Sequence, residues 1–62
     1  MASERDRIEH ALLDWRNEKE YRLKVMNDPN APEKEKEFSK RRVGEAEYWI
    51  NKILTEHPEV GP

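Results

Sequence analysis

Asn27-Asp28-Pro29-Asn30-Ala31-Pro32 is the stretch on which the fold is decided, because it holds two of the four prolines in a chain of 62 residues. Proline disfavours helical geometry at the residue before it, so Asp28 closes whatever helix precedes it. Within the first turn of a following helix proline costs little, because the N–H it lacks has no intrahelical partner there. The residues on either side, up to Asp28 and from Glu33 to His57, are free of proline. The chain therefore reads as a helix over about 4–27, a turn over about 28–31, a helix over about 32–57 and a frayed tail over 58–62, all within a single domain. Ser3 with Asp6, and Asn30 with Glu33, have the spacing of capping boxes at the two helix starts.

Working outward from the turn, Ile8, Leu12, Trp15, Lys19, Arg22 and Met26 recur at alternating spacings of four and three, with Ala11 and Leu23 beside them. Ser39, Val43, Ala46, Ile50, Ile53 and His57 keep the same rhythm in the second half, with Leu54 adjacent. Such spacing is the signature of a helical seam. No segment sustains the period-two alternation of a strand. In an antiparallel pair the facing residue numbers have a nearly constant total. Pairing Ile8 with Leu54 or Ile53, Leu12 with Ile50, Trp15 with Ala46, Lys19 with Val43 and Arg22 with Ser39 satisfies this, and it centres the pairing on Asn30 and Ala31. In this register Trp15 meets a small residue, Arg16 lies opposite Glu47 and Glu18 lies opposite Arg42. The expected fold class is all-α: an antiparallel two-helix hairpin that assembles into a four-helix bundle or larger homo-oligomer.

Assembly is expected because the seam does not use all the apolar residues. Ala11, Tyr21 and Val25 of the first helix and Phe38 and Trp49 of the second fall on one flank, a patch that a 7.5 kDa monomer rarely leaves in water. These five are the candidate oligomer interface, with a dimer as the simplest assembly. The competing expectation is that Phe38 and Trp49 fold over the seam and complete a monomer core. Gly44, in mid-helix, reads either as a point of close approach or as a tolerated surface glycine.

Lys19, Arg22 and Ser39 form a polar layer in the seam, with Arg42 and Lys36 nearby. Converging cations suit a phosphate or carboxylate, and Trp15 suits stacking on a base, so Lys19, Arg22, Ser39, Arg42 and Trp15 are the candidate ligand-binding residues. The structural alternative is a layer that sets helix register, its long stems packed and its charges turned outward.

Other chemistries find little support. With no cysteine there is no disulfide, thiolate metal site or cysteine nucleophile. Gly44 and Gly61, the only glycines, make no phosphate loop. Ser39 has no histidine within reach of its layer. Asp6, His10 and Asp14 share a helix face at spacings of four, a weak metal geometry that solvated surface explains better. His57 is placed to cap the last carbonyls of the second helix. A net charge of −2 and the alternating signs of Glu33-Lys34-Glu35-Lys36-Glu37 argue against binding duplex nucleic acid. No apolar run suggests a membrane span or a secretory signal. The expectation is a cytoplasmic, non-catalytic protein without cofactor or metal that self-associates and regulates, inhibits or adapts a partner protein. The alternative is an oligomer that sequesters a small anionic, nucleotide-like ligand.

Overall fold

The computed structural model describes residues 3–60, in which two α-helices pack against each other as a hairpin: α1 over Glu4–Met26 and α2 over Glu33–Glu56, followed by a 3₁₀ turn over Pro58–Val60. α1 opens on a complete capping box. Ser3 Oγ accepts from the Asp6 N–H at 3.1 Å and the Ser3 N–H donates to Asp6 Oδ2 at 3.4 Å, so two backbone donors that the helix leaves free are satisfied. α1 ends where Pro29 requires, with the Asn27 N–H still donating to the Leu23 carbonyl at 3.1 Å.

The connection is built differently from the expected Asn30 cap. The Asn30 N–H donates to Asp28 Oδ1 at 2.9 Å and the Ala31 N–H to the Asp28 carbonyl at 3.2 Å, so Asp28 organises the turn through its own side chain. Pro32 takes the N-cap position of α2, with no side-chain cap. Its fixed φ of −60° suits the entry to a helix, and its carbonyl accepts the first bond, from the Lys36 N–H at 3.1 Å.

At the far end, proline at 58 predicts fraying. Instead the chain turns back on α1: Arg5 Nη2 donates to the Glu59 carbonyl at 3.3 Å, the Val60 N–H donates to the His57 carbonyl at 3.1 Å, and Val60 is half-buried. Proline ends the α-helix without preventing a single tighter turn, which the guanidinium then ties down. His57 closes α2 with its backbone N–H on the Ile53 carbonyl at 2.8 Å, while its Nδ1 faces Glu59 Oε1 at 3.5 Å. The rest of the tail, Gly61 and Pro62, lies outside the described residues.

The core follows the expected seam, and its centre is small. Leu12, Ala46 and Ser39 are buried, whereas Ile8, Trp15, Val43, Ile50, Ile53 and Leu54 are only half-buried. Two helices alone cannot enclose more, and the hairpin stays long, 42 × 22 × 17 Å. Its radius of gyration is 13.7 Å, against about 10.6 Å for a compact chain of this length. Gly44 sits on the outer side of α2, where an added Cβ would meet nothing within 4 Å, so no close approach within the chain calls for it.

Two substitutions test this packing by urea denaturation at fixed protein concentration. Ala46→Leu forces a larger side chain into the fully enclosed position of the seam and is expected to cost about 1–3 kcal/mol. Gly44→Ala restores helix propensity at an open site and is expected to add up to about 1 kcal/mol.

Candidate functional site: an ionic and aromatic ladder along one flank

The flank singled out by its leftover apolar residues carries a continuous ladder of aromatic and charged side chains. Its centre is Glu18 on α1. Heptad spacing puts Glu18 just beside the seam, where two cations reach it: Arg22, one turn along its own helix, with Nε 2.9 Å from Oε1, and Arg42 across the seam, with Nε 3.1 Å from the same oxygen. Arg42 also reaches Glu45 Oε2 at 2.9 Å through Nη1. Hydrogen bonds from Arg22 first, and Arg42 second, hold the Glu18 carboxyl below its usual pKa. The bond to Glu18 in turn raises the Arg42 pKa.

From this centre the ladder runs both ways. Toward the turn, the Arg22 guanidinium lies 5.2 Å from the Tyr21 ring centroid and 4.9 Å from that of Phe38, within the range of cation–π attraction. Its Nη1 donates to the buried Ser39 hydroxyl at 3.5 Å, which gives the one polar side chain of the core a partner. Toward the open end, Arg42 lies 5.8 Å from the Trp15 ring, and Trp15 stacks on Trp49 with centroids 6.3 Å apart and planes at 16°. Lys52 sits 5.2 Å from Trp49 and 6.0 Å from Tyr48, which meets Trp49 edge-on.

The structure brings four of the five candidate ligand residues into this ladder: Trp15, Arg22 and Arg42 within it, and Ser39 beneath it. Lys19 leaves it, pairing with Glu47 Oε1 at 3.4 Å on the opposite flank. That pair replaces the expected match of Arg16 with Glu47. Arg16 lies about 60° further round α1 than Lys19 at 100° per residue, and it stays exposed. The three cations among the candidate ligand residues, Lys19, Arg22 and Arg42, thus already face a carboxylate. The depression above the centre, lined by Asp14, Trp15, Glu18 and Arg42, is open to solvent.

Of the five candidate interface residues, Tyr21 is 57% and Phe38 51% exposed, whereas Ala11, Val25 and Trp49 are half-buried within the hairpin. Trp49 is partly used up by its stack on Trp15. Sequence reasoning missed Glu45, Tyr48 and Lys52. Their signal was present in the i, i+3 and i, i+4 steps from Arg42 to Glu45, Trp49 to Lys52 and Tyr48 to Lys52. Among the described residues no group of three His, Asp or Glu side chains is placed to hold a metal ion, and His10 faces only Asp14, at 3.5 Å. No described helix is long and apolar enough to cross a membrane. Compared with family models, curated proteins and solved structures, the chain matches none.

The ladder has a pH signature. Because the Glu18 pKa is lower folded than unfolded, its stabilisation is complete above the ordinary carboxylate range and is lost as the pH falls through the lowered native value. Melting temperatures followed downward from about pH 5 are expected to fall less steeply in Glu18→Gln than in the parent chain. Equal slopes would remove the two-arginine bridge as a source of acid sensitivity.

Proposed function

We propose that this chain is a non-catalytic interaction protein of the cytoplasm that self-associates through its aromatic flank and acts by binding a partner protein, as a regulator, inhibitor or adaptor. One observation carries the reading: the single hairpin leaves 4985 Å² accessible to solvent, roughly 700 Å² more than the about 4,250 Å² expected for a folded monomer of its 7.5 kDa mass. A standard protein interface covers about 800 Å² on each partner. The excess is thus close to what one further copy covers, and Tyr21 and Phe38, each more than half exposed, are its natural anchors.

A small anionic, nucleotide-like ligand is the competing reading. The pairing of Arg22 and Arg42 with Glu18, and of Lys19 with Glu47, weighs against it, because an incoming anion has to displace a carboxylate already in place. An open surface depression also gives a base no walls to be enclosed by.

Size-exclusion chromatography with light scattering is expected to give a mass of at least twice 7.5 kDa. In Tyr21→Ser/Phe38→Ser that mass is expected to drop to the monomer's while far-UV circular dichroism stays helical. A parent chain that is monomeric at every concentration overturns the self-association. Thermal melts with a panel of nucleotides are expected to show no shift, whereas a rise for one of them, lost in Lys19→Ala/Arg22→Ala, favours the ligand instead.

A further inference from the structure

The geometry points to a definite arrangement of the associated state: a second copy packs on the ladder flank with its turn beside the first copy's turn, so that α1 of each hairpin lies over α2 of the other. The inference rests on the self-association proposed above and adds its symmetry. A hairpin pairing flank to flank with itself has two simple two-fold options. One axis parallel to the long dimension keeps the turns together and crosses α1 with α2; one axis perpendicular to it, lying in the interface, sets the turns at opposite ends and puts each helix over its own copy.

Charge along the flank separates these options. At mid-height the charged side chains of α1 on this flank are Asp14 and Glu18, which share the depression beside Trp15, with Arg22 one turn closer to the loop. At the same height α2 presents Arg42, with Glu45 one turn on. Placing α1 over its own copy sets Asp14 and Glu18 against the same two acids and brings Glu45 against itself. Like charges brought into a desolvated interface oppose association and select against that arrangement. Placing α1 over α2 of the other copy sets Asp14 and Glu18 against Arg42 and Glu45 together, a stretch whose own charges offset each other at 2.9 Å, so the acids no longer meet their own like.

The apolar rungs agree. Toward the turn, Tyr21 and Phe38 lie at one height on either side of Arg22. With the turns together they meet each other's counterparts, so that both copies cover their exposed rings in one cluster. Toward the open end, Ala11 of α1 comes under Trp49 of α2, a small residue beneath a large one, as close packing of facing helices requires.

The absence of cysteine allows one clean test. Asn30→Cys places a nitroxide spin label on the exposed turn, and electron–electron distances are read on the dimer fraction. Helices packed at 8–10 Å put the two labels of a turn-by-turn dimer within roughly 25 Å of each other. Opposed turns separate them by approximately the 42 Å length of the hairpin. A dimer showing the short distance supports the arrangement. A dimer showing only the long distance overturns it and leaves self-association standing, whereas a monomer with no dipolar coupling overturns both.

Discussion

Two helices lying side by side shield only one stripe of each other, and the rest of this structure answers to that limit. Among the described residues only Leu12, Ala46 and Ser39 are buried, although the seam runs nearly the whole length of both helices. Much of the apolar surface therefore stays at the edges of the contact. There it is covered by whatever flanking side chains can lie across it. In a chain that is 42% charged, those side chains are mostly arginine, lysine and glutamate. Their aliphatic stems cover carbon while their charged ends stay in water.

This explains why the flank is a ladder and not a conventional core. Arg22 lies against Tyr21 and Phe38, Arg42 against Trp15, and Lys52 against Trp49 and Tyr48. Each cation does some of the shielding that a third helix does in a larger domain. Glu18 matters here beyond its own charge, because one carboxylate oxygen orients two guanidiniums and so sets which rings they cover. An exposed ion pair by itself contributes at most about 1 kcal/mol. A bridge that holds two cations over aromatic faces also fixes the geometry of the surface presented to a neighbour.

The hairpin and its register were legible from sequence because helical periodicity and proline are local signals. Glu18 facing Arg42 follows from counting alone. The details that escaped depend on where long side chains go once the backbone is set. Lys19, closer to the seam than Arg16, reaches Glu47 first. Trp49 reads as surplus in a linear pattern, yet a ring that size extends far enough to stack on Trp15. Asp28 outcompetes Asn30 in the turn because its carboxylate accepts directly from an N–H two residues on. Tail structure escaped for a related reason, since the bond from Arg5 to the Glu59 carbonyl spans nearly the full chain and leaves no trace in local spacing.

The antiparallel path itself has a topological consequence. It sets the start of α1 and the end of α2 at one pole, with the Asn30 turn at the other, and the bond from Arg5 holds Pro58–Val60 against the start of α1. A circular permutant, with a short glycine linker closing the extremities and the backbone opened at the turn, keeps the seam and the ladder in place. Its new ends then emerge at the turn, so cargo fused to them rides at the opposite pole from Ser3 and Val60.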